Sequence, residues 1–345
     1  MSVGYVYDDI YQLHDTGAHV EGKDRLTHID AVLEKTGIKG QLKLITPRAA
    51  SIDEIATIHS RDYIDDLKRE IDAGGGWLDP DTYVSTGSWD AALYAAGGLI
   101  NAVNAVMRKE YSSAFALIRP PGHHAVPTHQ MGFCLFNNVA IAARFALKNF
   151  DIKKILIIDF DVHHGNGTQE AFYTDPHVLY FSIHQYPWYP FTGRADETGE
   201  GSGTGFNVNV PMEAETGDKE YLRIFNEVLT PLARRYRPEL ILVSAGYDAH
   251  WKDDISCINL STTGYARLTK IIKHIADESC DGKMVYALEG GYHRGALAFS
   301  VAATFEVLLG HESVLDHYGE PPSSFTPPDF DGFINMLQNI HKLNN

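Results

Sequence analysis

The sequence predicts an α/β fold on a central, mainly parallel sheet. Three observations predict it. Short apolar runs alternate with longer amphipathic stretches, the order that lays helices over parallel strands. Several runs are nearly continuous in Val, Ile and Leu, as strands covered on both faces must be. Titratable residues recur just past the ends of the runs, where open α/β sheets bind ligands.

The elements follow in order. GYVYDD (4–9) is the first strand. SWDAALYAAGGLINAVNAVMR (88–108) is an Ala-rich helix with apolar residues at helical spacing. AFALIRP (114–120) is a strand, NNVAIAARFALKNF (137–150) a helix, and KILIIDFD (154–161) and VLYFSIH (178–184) are apolar strands. GFNVNVP (205–211) is a further strand and DKEYLRIFNEVLTPLARRY (218–236) a helix. LILVSAG (240–246) precedes the helix STTGYARLTKIIKHIADES (261–279), which opens on Ser and Thr, good N-cap types. MVYALEGG (284–291) is the seventh strand, and GALAFSVAATFEVLLG (295–310) is a helix closing on Gly310, a suitable residue just past a helix end. GEPPSSFTPPDF (319–330) is a Pro/Ser linker, after which Phe333, Leu337 and Ile340 could dock a last helix. The chain reads as one domain over 1–345, since α/β units often exceed 250 residues.

Composition narrows the partners. Asp and Glu number 45 against 29 Lys and Arg, a formal charge of -16. That field repels nucleic acid and anionic membranes. It favours a basic substrate such as a lysine-rich peptide or a polyamine; the plain alternative is an acidic surface that aids solubility. Cys134, Cys257 and Cys280 lie far apart, which argues against a disulfide framework or a thiolate zinc site and for a cytoplasmic setting. No signal-like or membrane-spanning run is read. Self-association into a homo-oligomer is compatible with all of this.

The chemistry sits after the strands. His123 and His124 follow the 114–120 strand, Asp159, Asp161 and His163 follow ILII, His184 follows FSI, Asp248 follows LILVSAG, and Tyr292 follows LEGG. Five strand ends therefore point to one shared site. Asp159, Asp161 and His163 alternate, so an extended strand turns them the same way. Carboxylates and an imidazole buried together need a partner, and a divalent metal supplies one. Asp161, His163 and Asp248 give three ligands and leave positions open, as a catalytic site requires. The oxygen-rich set suits zinc first, with Fe(II), Co(II) or Mn(II) as alternatives. Taken singly, each residue is equally a solvated acid or a hydrogen-bonded core histidine. One of the adjacent imidazoles serves as general base, and Asp159 is free to orient one of them. Gly290 and Gly291 give the backbone freedom to swing the Tyr292 phenol, an oxyanion donor, over the metal. Gly165 and Gly167 let the chain turn from the sheet edge, and His164 is left with only a structural hydrogen bond.

RPPGHHA, MGFCLFNNVAIAA, IDFDVHHGNGTQEAFY, SAGYDAH and LEGGYH resemble the histone deacetylase and acetylpolyamine amidohydrolase superfamily, most of all its class II and bacterial branch. The resemblance covers nearly the whole chain and implies the three-layer fold shared with arginases, with an eight-stranded sheet. It implies Asp161, His163 and Asp248 as metal ligands, His124 as base and then acid, His123 as its electrostatic partner, and Asp159 paired with His123. It sets Asn166 beside His124, where some members have Asp, and makes Tyr292 the carbonyl-polarising phenol. It implies Gly132, Phe133, Tyr189, Ile255 and Gly290 along the substrate channel. It further implies a structural potassium ion near Asp159, Asp161, His163 and Ser182, and Arg25 at an inner acetate pocket. HVEGKDRL (19–26) departs from the family's Pro-containing pattern, which leaves the first loop open.

The activity so implied is metal-assisted hydrolysis of an acetyl-lysine amide in a protein or peptide. The nearest rival is an acetylpolyamine amidohydrolase. Ile255 stands where polyamine-selective relatives can carry Glu, although Asp253 and Asp254 adjoin it. An arginase-like ureohydrolase would need a second metal set, and a non-catalytic acyl-lysine reader would need neither base nor ligands.

Overall fold

The computed structural model describes residues 2–323 and 325–343. The ends of the 1–345 span and position 324 of the 319–330 linker lie outside the described residues. Among the described residues ten strands form: β1 (Val3–Val6), β2 (Lys43–Ile45), β3 (Gly76–Trp77), β4 (Tyr83–Val84), β5 (Ser113–Ala116), β6 (Ile155–Asp159), β7 (Val178–Gln185), β8 (Asn207–Met212), β9 (Leu240–Ala245) and β10 (Met284–Leu288). Eleven α-helices accompany them: α1 (Asp24–Lys35), α2 (Ile52–Ile55), α3 (Arg61–Asp72), α4 (Ser88–Met107), α5 (Asn138–Asn149), α6 (Asn166–Phe172), α7 (Asp218–Ile224), α8 (Thr230–Tyr236), α9 (Thr262–Ser279), α10 (Arg294–Leu309) and α11 (Phe330–Ile340).

Eight strands make one all-parallel sheet in the order β2-β1-β5-β10-β9-β6-β7-β8. Every residue of β5, β6, β7, β9 and β10 is buried, so helices cover both faces. α10 packs between α1 and α9, while α4 packs on α5 and reaches β5 and β10. β3 and β4 form a separate hairpin.

The eighth sheet strand, β2, is absent from the seven read in the sequence. It has three residues, and Lys43 and Leu44 are exposed; a short edge strand carries no apolar run. The helices α1 and α3 were also unread, although Ser60 caps α3 by accepting from the Tyr63 N–H. The 218–236 stretch is helical throughout but widens into a π turn over Phe225–Leu229. Pro231 just beyond it has no N–H to give, and the Phe225 carbonyl accepts both the Thr230 N–H and, at 2.8 Å, Thr230 Oγ1. The last helix docks through Phe330, Ile334 and Leu337. Phe333 and Ile340 are only half-buried, so the apolar stripe is rotated from the one expected.

Candidate active site

Four neighbouring strands at the sheet's centre, β5, β10, β9 and β6, carry the chemistry at their C-terminal ends. His123 and His124 lie on the loop after β5, Asp159 ends β6, Asp161 and His163 follow it, Asp248 follows β9 and Tyr292 follows β10. His184 on β7 does not join them. Its ring nitrogens bond Ser182 Oγ and the Gly193 carbonyl, both at 2.9 Å. The sheet order sets β7 one strand beyond the centre.

Asp161 and His163 converge for a different reason from strand alternation. β6 ends at Asp159, and the chain then bends. Asp161 Oδ1 accepts the His163 N–H at 2.9 Å and stands 3.1 Å from His163 Nδ1. Asp248 Oδ2 stands 3.2 Å from the same Nδ1. It is buried without a hydrogen-bond donor, and its Oδ1 accepts the Val162 N–H at 2.9 Å. Gly290 N–H holds Asp161 Oδ2 at 2.8 Å. One ligand atom from each of Asp161, His163 and Asp248 lies within 4.8 Å of the others. Burial, with Asp161 adding, pushes Asp248 up to about 6. Two buried carboxylates aimed at one ring nitrogen, one oxygen of them orphaned, are costly without a cation between them. The trio therefore fits a divalent ion.

Behind it, His123 Nδ1 lies 3.1 Å from Asp159 Oδ2, which also accepts the Tyr180 O–H at 2.9 Å. Burial alone would depress His123, but Asp161 and Asp159 outweigh it and push its pKa to about 10. His124 goes the other way: burial, then the charge on His123, holds it well below its usual value. The two rings are 4.0 Å apart, so only one takes the proton. His124 Nδ1 lies 2.8 Å from Asn166 Oδ1.

His124 and His163 reach the floor of a cleft of about 460 Å³, with the other groups buried behind them. Gly132, Phe133, Tyr189 and Ile255 line it, with His124, His163 and Tyr292. Gly132 and Phe133 both take left-handed backbone, at φ 55° and 68°. A Cβ on Gly132 would meet the His124 ring at 2.4 Å. Gly290 is not among the lining residues. A Cβ there would lie 2.2 Å from Asp248 Oδ2, so this glycine permits close approach to the carboxylates and Gly291, at φ 119°, provides the turn. Gly165 likewise serves close approach, to Asp159 and the Tyr180 hydroxyl. Ser182 pairs with Asp159 across β6 and β7, with its hydroxyl on His184. His164 bonds Thr192 Oγ1 and Gln169 Oε1 and faces away from the trio.

The Histone deacetylase domain matches residues 19–308. The chain belongs to the histone deacetylase family. It is 40% identical over 316 residues to a protein of Archaeoglobus fulgidus named "Probable deacetylase", covering 90% of this chain and 88% of that one. It is 34% identical to the "Histone deacetylase-like amidohydrolase" of Pseudomonas aeruginosa, over 86% and 78% of the two chains. The crystal structure of the HDA15 HD domain superposes with a TM-score of 0.90 at 35% identity, over 99% and 94% of the two chains.

In this histone deacetylase family member Glu21, Arg119, Glu289 and Asp81 join the site although the sequence reading did not single them out, and Arg25 and Asp253 make contacts it did not foresee. The departing 19–26 loop is anchored by Glu21, buried between Arg25 Nη1 at 3.0 Å and Arg119 Nε at 2.6 Å. Arg25 donates to the Glu289 and Gly291 carbonyls at 2.6 and 2.7 Å and lies 5.1 Å from the Tyr292 ring centre, so its three nitrogens are all engaged behind the phenol. Glu289 accepts from the Gly122 and His123 N–H groups and ties the His pair to β10. Asp253 accepts the Tyr292 and His293 N–H groups at 2.6 and 2.8 Å. Asp81 stands on the cleft wall. An acid inside LEGG was the one visible signal for Glu289; the others have no local pattern.

Proposed function

We propose that the chain is a metal-dependent amidohydrolase that removes acetyl groups from the ε-amine of lysine in proteins or peptides and releases acetate. The observation that carries this reading is a free histidine base, a phenol and the His163 of a three-ligand trio meeting in one apolar cleft.

Asp161, His163 and Asp248 would hold one divalent ion, zinc first, with Fe(II), Co(II) or Mn(II) suited to the same donors. When bound, the ion supplies Lewis acidity to a carbonyl and acidity to a water. Asn166 fixes the Nδ1–H tautomer of His124, which leaves Nε2 to take a proton from the attacking water and to return it to the leaving amine. His123, charged on Asp159, keeps His124 from holding that proton too firmly. Burial and then Asp248 push the Tyr292 phenol well above its usual value, so it stays protonated and donates to the carbonyl oxygen as charge develops. One such donor is worth about 3 kcal/mol. Phe133, Tyr189 and Ile255 would flank the aliphatic arm. A potassium ion near Asp159, Asp161, His163 and Ser182, an acetate pocket at Arg25 and a cytoplasmic setting belong to the same proposal.

One observation favours a second reading. Asp81 puts a carboxylate on the cleft wall, which would suit an acetylated polyamine as well as peptide N–H groups. Asp253, by contrast, is spent on the Tyr292 loop and offers a cation nothing. The test is kcat/KM for acetate release from an acetyl-lysine peptide and from N-acetylputrescine. The peptide is expected to lead by at least tenfold. A lead for N-acetylputrescine would replace lysine deacetylation with the polyamine reading, and no acetate from either would overturn both.

A further inference from the structure

A second cavity, of about 490 Å³, opens at the opposite edge of the sheet, where β6, β7 and β8 begin. Lys154 on its wall lies five residues before Asp159, roughly 17 Å along the strand. The cavity is therefore separate from the cleft described above.

Its walls are apolar through Leu179, Phe206, Leu232 and Ile340. Lys154, Arg235 and Lys342 add three exposed cations, and among the described residues no carboxylate lines it. In a chain with a formal charge of -16 this local excess of positive charge runs against the whole. Lys154 Nζ lies 5.7 Å from the Tyr236 ring centre. Among the described residues neither Lys154 nor Lys342 forms an ion pair, and Arg235 bonds only the His341 and Lys342 carbonyls. Two acids close by in the fold are committed elsewhere. Glu239 accepts the Lys153 and Lys154 N–H groups, and Asp175 pairs with Arg144 and His177.

The second observation is His341. It lines the cavity and is 4% exposed, yet neither ring nitrogen has a hydrogen-bond partner. Buried polar groups are almost always satisfied, and the volume is that of a small-molecule site.

We infer that this cavity binds an organic anion with an apolar body and a carboxylate or phosphate head. The apolar walls take the body, His341 gives the head a hydrogen bond, and Lys154, Arg235 and Lys342 neutralise it.

Calorimetric titration of the full, metal-loaded chain tests this with octanoate, octyl phosphate and, as the uncharged control, 1-octanol. At least one anion is expected to bind no less than tenfold tighter than octanol, and the tighter anion identifies the head. Lys154→Gln, on an exposed side chain, should weaken it about five- to tenfold. Ile340→Trp should fill the cavity and abolish binding, with its melting temperature recorded to show that it folds. Both variants should keep the parent's activity on the acetyl-lysine peptide. Anion binding that both variants leave unchanged would place the ligand elsewhere, at the metal trio for instance, and overturn the inference. So would the absence of binding by either anion.

Discussion

His124 Nδ1 lies 2.8 Å from Asn166 Oδ1, and this contact fixes which nitrogen of the imidazole is free. The Asn166 amide nitrogen faces the His124 carbonyl and the Met131 sulfur, both at 3.4 Å. Its oxygen must therefore face the ring, so Nδ1 carries the hydrogen and Nε2 does not. Asn166→Asp keeps the contact and adds a negative charge beside the imidazole. The charge favours the protonated ring, so the pKa of His124 rises. The acidic limb of kcat/KM against pH should move to higher pH. A limb that does not move would detach Asn166 from the base.

Tyr292→Phe removes only the phenolic hydroxyl. An oxyanion donor of this kind is worth about 3 kcal/mol, so kcat on an acetyl-lysine peptide should fall by roughly 10²–10³ with little change in KM. Metal content measured on the variant should equal that of the parent. Unchanged kcat would remove the phenol from the reaction.

Metal removal should abolish activity and lower the melting temperature together, because the Asp161–His163–Asp248 trio is buried whether or not a cation balances it. Elemental analysis is expected to find one divalent ion per chain, and none in Asp248→Ala. Two ions per chain would point instead to an arginase-like site, and full activity after exhaustive chelation would end the metal reading.

Asp253 shows what position in the sequence can hide. Read in the chain, it adjoins Ile255 and looks like a rim acid; in the fold it turns inward and accepts two backbone N–H groups from the Tyr292 loop. Asp253→Ala takes the acceptor from both part-buried donors, at up to about 1–3 kcal/mol each. The melting temperature should drop, and kcat should fall as the phenol loses its aim. Asp253→Asn, which keeps one acceptor oxygen, should restore part of both. Equal behaviour of the two variants would argue against hydrogen bonding as the cause.

Much of the fold was legible because its strands are buried on both faces and so spell themselves as apolar runs. β2 was not, because an exposed three-residue edge strand has no such signature. The clustering of Asp161, His163 and Asp248 with the His pair was legible because each comes soon after a central strand. His184 follows an apolar run too and failed, since adjacency to a strand end says nothing about where that strand sits in the sheet. Asp81, Asp253 and Arg25 reach the site from loops and a helix across the fold, and only tertiary structure brings them there.

Acid should destabilise the chain through buried histidines that are not part of the metal trio. His59 Nε2 accepts the Asn137 N–H at 2.9 Å, while Nδ1 lies 3.0 Å from the Val126 carbonyl. A ring nitrogen that accepts is unprotonated, so the folded state holds His59 neutral. Burial lowers its pKa to about 4. His250 is held the same way, accepting the Lys252 N–H at 3.1 Å, with a pKa of about 4 set first by burial. In the unfolded chain both titrate near 6.5. Between 6.5 and 4 the unfolded state binds the extra proton, so stability is full above this window and is lost as pH falls through it. Each site should contribute about 1.4 kcal/mol per pH unit once well inside the window. His59→Gln cannot gain that proton. Urea unfolding at pH 7.5 and at pH 5 should therefore show a smaller acid loss for the variant than for the parent, by about 2 kcal/mol. An equal loss in the two proteins would mean that His59 is not held neutral by the fold.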